Sequence, residues 1–417
     1  NAFVMPKFCS VKYVIMMKSI IFLFIIILLT ASLALGSATP AGACEASGNE
    51  PQSDKKVVVV EFDHPEMLAQ AANRLDIWEV NQVEGWFMAL VGGQELAWLE
   101  ENGYRFGVDI ERTASINAPP GYPCYRTIDE LYADLQSRAA AHPGLTQMSV
   151  IGYSYENRPI YVTRLTNEAQ AGAKPRFFLI ANVHGREMIT PETAMLFMDM
   201  LLDGYGVDPD ITWLLDWQEI YIVVSANPDG HIRNETSVAY WRKNTNPYGS
   251  CEPDAIGVDL NRNHSFKWGG EGSSDDPCDD LYHGPFVASE DETQAVQAYV
   301  RGIFQDQRGD ADTDPAPDTA TGVLISLHSY SNLVLWPWGW TATPAPNSAQ
   351  LAALGRKMAT YNGYTAQQST VLYPTTGSTD DWSYGELGIA SYTFEIGSSS
   401  DGFFPSCSRY DALIQPN

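Results

Sequence analysis

"RFFLIANVHGREMITPE", residues 176–192, decides the fold. Its first part is an apolar run of strand length without polar alternation, which predicts a strand covered on both faces. It then breaks into His-Gly-Arg-Glu and continues as Thr190-Pro191-Glu192, a helix start with proline in the first turn. A buried strand that feeds a helix is the opening half of a βαβ unit. The same alternation recurs downstream. "EIYIVVSAN", "GVLISLHSY" and "SYTFEI" read as buried strands, and "PETAMLFMDMLLDGY" and "NSAQLAALGRKMATYNG" as helices. The predicted fold class is α/β, a mixed, mostly parallel sheet flanked by helices over residues 124–417. "TIDELYADLQSRAA" opens that body with a capping box, Thr127-x-x-Glu130, and sets Ile128, Leu131 and Leu135 on one helical face.

Ligands in such sheets sit beyond the carboxyl ends of the strands, where the quoted stretch places its polar residues. His184 and Glu187, three apart, can converge on one metal ion with nitrogen and oxygen donors suited to zinc. H-x-x-E alone fits equally a hydrogen-bonded histidine beside a surface acid. His328 closes the strand in "LISLHSY" and would emerge at the same edge, completing three protein ligands with one position left for water. Glu395 ends the strand in "SYTFEI", where a carboxylate is costly to bury without a role. As general base it would take the proton of a metal-activated water; the alternative is a helix cap or ion-pair partner. Arg242 in "YWRKN" and Arg262 in "GVDLNRN" lie among Asn and aromatic residues. One could grip a carboxylate and the other an oxyanion, or both could be ordinary surface arginines.

The 417 residues carry 51 acidic against 25 basic side chains, a net charge of −26. That balance argues against nucleic acid and anionic membrane surfaces as partners. Met17-Lys18 followed by "SIIFLFIIILLTASLALGSA" has the basic flank, apolar centre and small-residue exit of a secretory signal, with a retained membrane anchor as the rival. Residues 1–43 are therefore assigned to a signal peptide and an upstream extension, residues 44–55 to a polar linker, and the protein to a secreted, periplasmic or cell-surface location. Export makes disulfides the default, and no C-x-x-C pair supports a zinc-finger or thioredoxin reading. Cys44, Cys124, Cys251, Cys278 and Cys407 leave one odd, read as Cys44. Over residues 56–110, strand-like and helix-like runs follow the βαββαβ order of a small ferredoxin-like α+β domain, with Asp63 as the cap of its first helix. Residues 111–123, with "ASINAPPGYP", read as a linker. The acidic run "QDQRGDADTDPAPDTA" lacks the Gly and Glu of an EF-hand and reads as a solvated loop. Asn234 and Asn263 head glycosylation triplets.

Ordered stretches, "HGREMIT", "NPDG", "YWRKN", "GVDLNRN", "LYHGPFVASEDET", "HSYSNLVLWPWGW" and "LYPTTGSTDDWSY…SYTFEI", resemble the zinc metallocarboxypeptidases, most closely the branch of carboxypeptidases A, B and T. The resemblance runs from residue 124 to the chain end, and the unit before it resembles the propiece these enzymes carry as zymogens. It implies one zinc ion per chain on His184, Glu187 and His328, with Glu395 as general base and Arg242 stabilising the tetrahedral oxyanion. It implies that Asn261 and Arg262 grip the substrate's terminal carboxylate, that Tyr373 closes over it and that Arg186 is an accessory substrate-binding arginine. It also implies a Cys251–Cys278 disulfide, which leaves Cys124 and Cys407 to pair. Asp380, seven residues after Tyr373, falls where family members that prefer basic ends carry Asp. Lys or Arg ends are expected, with apolar ends also accommodated on the pocket walls; Asp381 next to it offers a purely structural use for an acid here. The implied partners are peptide or protein C-termini and an activating protease. The family's C-terminal helix is expected to be missing, since the chain stops at "ALIQPN". Two other readings keep the site or the fold: a zinc amidase or deacylase of other substrates, and an inactive binding homologue.

Overall fold

Short strands backed by a pair of helices make up the first part of the structure, because one face of each strand presents apolar residues that the helices cover. The computed structural model describes residues 55–116, 124–236 and 240–417; the expected export segment, Cys44 and residues 117–123 of the expected linker lie outside the described residues. Strand β1 (Lys56–Glu61), helix α1 (Pro65–Ala72), strands β2 (Asp76–Asn81) and β3 (Trp86–Val91), helix α2 (Gly93–Glu101) and strand β4 (Arg105–Val108) follow in the βαββαβ order. The antiparallel sheet runs β2-β3-β1-β4, a ferredoxin-like arrangement. Val58, Val60, Leu68, Phe87, Ala89 and Leu99 fill the space between sheet and helices. Asp63 is not the cap of α1: that position is His64, which makes no side-chain cap, and Asp63 pairs with Arg105 instead. The linker also begins later than residue 111. Ile110–Ile116 form helix α3, started by Asp109, whose Oδ1 accepts from Arg112 N at 2.9 Å.

The larger sheet is built by α4 (Ile128–Ala141), β5 (Thr146–Tyr153), β6 (Pro159–Leu165), β7 (Arg176–Ile180), α5 (Ile189–Gly204), α6 (Pro209–Trp217), β8 (Glu219–Val223), α7 (Pro228–Thr236), α8 (Asp291–Ile303), β9 (Val323–His328), β10 (Leu333–Trp336), α9 (Ser348–Asn362), β11 (Thr365–Gln368), α10 (Thr379–Leu387), β12 (Ala390–Glu395) and α11 (Tyr410–Ile414). Its order is β11-β10-β12-β9-β7-β8-β6-β5. The central strands β12, β9, β7 and β8 are parallel, and antiparallel pairs flank them. Alternate residues of the quoted strand face opposite cores: Leu179 joins Met195 and Ile222 on one side, Phe178 and Ile180 join Val223 and Leu324 on the other. Both faces are covered, which explains a run without polar alternation. The capping box at α4 forms as read, with Thr127 Oγ1 accepting from Glu130 N and Glu130 Oε2 from Thr127 N.

Two disulfides close the body, Cys124–Cys407 and Cys251–Cys278. The last element, α11, is one turn long, and its Leu413 and Ile414 are buried in the main core. In the acidic loop, Arg308 is buried against Gly385 O while Asp310 stays at the surface, as a solvated loop with an anchor would. Asn234 and Asn263 are buried and donate to backbone carbonyls, so neither offers its amide to a glycan. Among the described residues no helix is long and apolar enough to cross a membrane.

Candidate active site

The sharp break after β7 is held by small residues and short polar bonds. Asn182 adopts a left-handed φ of 54°, which asparagine tolerates better than other side chains. Its Oδ1 accepts from Ser225 Oγ at 2.8 Å and its Nδ2 donates to His184 O at 3.1 Å. Gly185 is required by closeness: a Cβ there would sit 2.4 Å from the Gly230 carbonyl. Thr190 Oγ1 accepts from Asn182 N and so ties the helix start back to the strand end. The outcome is that His184 and Glu187 face one point, with His184 Nδ1 and Glu187 Oε1 2.7 Å apart.

His328 arrives at that point from the end of β9. Its Nδ1 lies 3.2 Å from His184 Nδ1 and 3.1 Å from Glu187 Oε2, and the three ligand atoms all lie within 4.8 Å of one another. Two donors about 2.0 Å from one tetrahedral zinc ion lie roughly 3.3 Å apart, so the spacing fits. Two ring nitrogens turned on each other at 3.2 Å cannot both donate, so at least one lone pair beside the Glu187 carboxylate is aimed at the point where a cation would lie. The outer ring nitrogens are fixed in turn, His184 Nε2 by Asp259 Oδ1 at 3.1 Å and His328 Nε2 by Ser326 Oγ at 2.9 Å. Burial, and next the charge of Arg242, holds the His184 ring below its ordinary pKa. For His328 burial pushes the same way, but Glu187 and its hydrogen bond outweigh it and the ring stands above its ordinary value. Glu187 stays ionised despite burial because both rings favour its charge.

Every predicted site residue lines one cavity of about 60 Å³: His184, Glu187 and His328 with Glu395, Arg242, Arg186, Asn261, Arg262, Tyr373 and Asp380. Glu395 pairs in register with His328 across the parallel strands β12 and β9, which puts acid and metal group at the same sheet edge. Burial lifts the Glu395 carboxyl above the ordinary range, with His328 opposing and Glu187 adding to the rise. Arg242 and Arg262 are buried, not surface, arginines. Arg242 donates from Nε and Nη2 to Asp259 Oδ2 at 3.0 and 2.7 Å and reaches within 3.4 Å of His184 Nδ1. Arg262 is braced by Gly272 O at 2.6 Å, and Asn261 Oδ1 accepts from Thr379 N and Oγ1. Asp380 accepts from Ser378 Oγ at 2.7 Å and Ser369 Oγ at 2.9 Å, while Asp381 takes the N–H groups of Gly339 and Trp340.

Two residues that the motifs do not single out shape the site. Asp259, inside "GVDLNRN", is fully buried and joins His184, Arg242 and Asn261 N; the sequence signals it only as an acid three residues before Arg262. Asp76 comes from β2 of the small sheet and takes Arg186 with both oxygens, at 2.5 and 2.8 Å. Burial disfavours its charge, but Arg186 outweighs that and holds the Asp76 carboxyl well below the usual range. Trp78 follows it, stacked on Tyr240 at 5.5 Å and edge-on to Phe403 at 5.1 Å.

Comparison with known proteins agrees with this geometry. Residues 131–415 match the model of the Peptidase_M14 family, zinc carboxypeptidase. The chain is 31% identical over 299 residues to carboxypeptidase A2 of Rattus norvegicus, across 70% of this chain and 66% of that protein. It is 33% identical over 302 residues to a zinc carboxypeptidase of Saccharothrix mutabilis subsp. capreolus, across 69% of this chain and 65% of that one, so it spans just under two thirds of these relatives. In fold it is similar to the crystal structure of carboxypeptidase A from Helicoverpa armigera, with a TM-score of 0.71 at 22% identity over 88% of this chain and 95% of that one. The chain belongs to the zinc carboxypeptidase family.

Proposed function

We propose that this chain is a secreted zinc metallocarboxypeptidase made as a zymogen, which removes the C-terminal residue of peptides and accepts basic ends. The observation that carries the reading is the single cavity that joins a two-histidine, one-carboxylate metal group to a buried acid and two buried arginines. Zinc on His184, Glu187 and His328 would supply the Lewis acidity that activates water and polarises the scissile carbonyl. Glu395 takes a proton from the attacking water and delivers it to the leaving amine as the C–N bond breaks. Arg242, fixed by Asp259, donates to the oxygen on which negative charge develops. Asn261, Arg262 and Tyr373 hold the terminal carboxylate, which makes the reaction exopeptidic, and Arg186 binds the chain upstream.

Asp380 supports basic specificity. It is 4% exposed, lines the cavity and has no Lys, Arg or His within ion-pair distance among the described residues. A Lys or Arg end would supply the missing cation. The zymogen reading rests on Asp76 and Trp78 of the small sheet, which occupy Arg186 and the aromatic wall where a substrate chain would lie. The test is hydrolysis of paired peptides ending in Lys, Arg, Phe or Leu by protein cut within residues 117–123, with and without a zinc chelator. Release of Lys and Arg that the chelator abolishes is expected. Equal cleavage of C-terminally amidated peptides would sink the exopeptidase assignment.

A further inference from the structure

Residues 241–244 belong to no helix or strand, so Arg242 takes its place from its neighbours. On one side Gly185 N donates to Arg242 O at 3.0 Å, beside His184. On the other, Asn244 N donates to Val258 O at 3.0 Å and Asn244 Oδ1 accepts from Val258 N at 2.8 Å. Gly257 allows that approach, since a Cβ there would lie 2.1 Å from Asn244 O. Between them Lys243 is buried, yet it does not line the cavity of the site. Its Nζ donates to Ala255 O at 2.6 Å, Asp279 O at 2.7 Å and Pro277 O at 3.3 Å, which uses all three N–H groups of an ammonium. The three carbonyls belong to the stretch pinned by the Cys251–Cys278 bridge: Pro277 and Asp279 flank Cys278, and Ala255 follows Cys251 by four residues.

Among the described residues no carboxylate lies within ion-pair distance of Lys243 Nζ, so peptide carbonyls alone compensate a buried charge. A methionine would fill similar space without that cost; what the ammonium adds is direction, holding three carbonyls at one point. We propose that Lys243 is a positioning residue for the oxyanion step, clamping the disulfide-bridged stretch onto the backbone of Arg242 so that the guanidinium stays aimed at the scissile carbonyl. The proposal rests on the role given above to Arg242. Asp259 holds the guanidinium and Lys243 the backbone beneath it, so the side chain is fixed at both ends. Burial pushes the Lys243 ammonium down to about 8; Asp280, Asp279 and Asp259 oppose that, and Lys55 adds to it. Without its proton the amine keeps two N–H groups for three carbonyls and turns a lone pair on the third, so the clamp loosens as pH rises through that value. Lys55, which leads into the small sheet, pairs with Asp280 at 2.9 Å; its departure with that sheet removes a repulsion and shifts the loosening to higher pH.

The experiment measures kcat and KM on a Lys-ended peptide for the full chain, cut within residues 117–123 and loaded with zinc, carrying Lys243→Met alone and together with Arg242→Gln. Lys243→Met is expected to lower kcat by at least roughly tenfold with KM little changed, because a displaced donor loses most in the transition state. With Arg242→Gln already present it should cost less than about twofold, since nothing is left to position. Zinc retention against a chelator should stay as in the unaltered chain. Above about pH 8, kcat of the unaltered chain should fall more steeply than that of Lys243→Met. Cys251→Ala/Cys278→Ala frees the same carbonyls without touching Lys243. It should lower kcat with Arg242 present but not with Arg242→Gln, which keeps the test decisive if Lys243→Met does not fold. Equal losses of kcat with and without Arg242, an unaltered kcat for Lys243→Met, or parallel pH profiles overturn the proposal. An unaltered cut chain without carboxypeptidase activity counts against the proposed function instead.

Discussion

Asp259 is fully buried and touches His184 Nε2, the Arg242 guanidinium and the Asn261 N–H at once. Its charge is sustained against burial by Arg242 and Arg262. Asp259→Asn keeps the shape but removes the counter-charge of Arg242 and the acceptor that fixes the His184 ring. Zinc affinity should fall by about 10–100-fold, read by competition with a chelator, and kcat should fall with it. Unchanged zinc retention would remove Asp259 from the metal site. His264 makes a pH prediction. Burial first, and then the charge of Arg301, lowers its pKa to about 3, and the neutral ring stacks on Trp382 at 5.0 Å between Gln297 and Thr379. The unfolded value lies near 6.5, so between about pH 6.5 and 3 the unfolded chain binds more protons than the folded one. The stability this ring contributes is present above that window and lost as pH falls through it. His264→Gln should flatten the fall of Tm over that range, and parallel Tm profiles for the two proteins would contradict it.

Among the elements, the ties differ in the length of chain they close. Cys124–Cys407 spans 283 residues and fastens the start of the body to the turn before α11, where Tyr125 Oη also donates to Pro405 O at 2.7 Å. Cys251–Cys278 closes 27. The longer loop loses more chain entropy on cross-linking, about 2 kcal/mol more by the loop-length rule. Cys124→Ala/Cys407→Ala should therefore lower Tm further than Cys251→Ala/Cys278→Ala, a comparison that scanning calorimetry makes directly. The strand ends were the legible part of the fold. His184, His328 and Glu395 each follow an apolar strand, and a parallel sheet gathers such ends at one edge, so local pattern and topology together predict the metal group. Asp76 is not legible that way: it opens β2 like any alternating polar residue, and only tertiary packing brings it to Arg186. Helix α3 is hidden because Thr113, Ser115 and Ile116 are poor helix formers, so packing of Ile116 beside Trp78 and Phe403 decides its state.

At the scale of the whole molecule, Gln52–Asn417 form one compact unit, although the sequence divides into a small sheet and a large one. What joins them is a buried cluster of Val57, Trp78, Met88, Leu90 and Ile116 with Tyr330 and Phe403, sealed by the Asp76–Arg186 pair and by Arg112 on Ser399 O at 2.9 Å. None of these contacts depends on residues 117–123. A cut there removes the tether, and with it an effective concentration in the millimolar range, but leaves the interface itself intact. Activity should then appear in two phases, cleavage followed by slower separation of the small sheet, and the second phase should shorten on dilution before assay. Trp78→Ala removes the aromatic anchor of the interface, a loss of roughly 2–4 kcal/mol, and should speed separation by on the order of 100-fold. Gel analysis of the cut and progress curves on a Lys-ended peptide, taken from the same reaction, measure the two events separately. If activity follows the cut without delay at every protein concentration, the buried cluster does not hold the small sheet on the cleft.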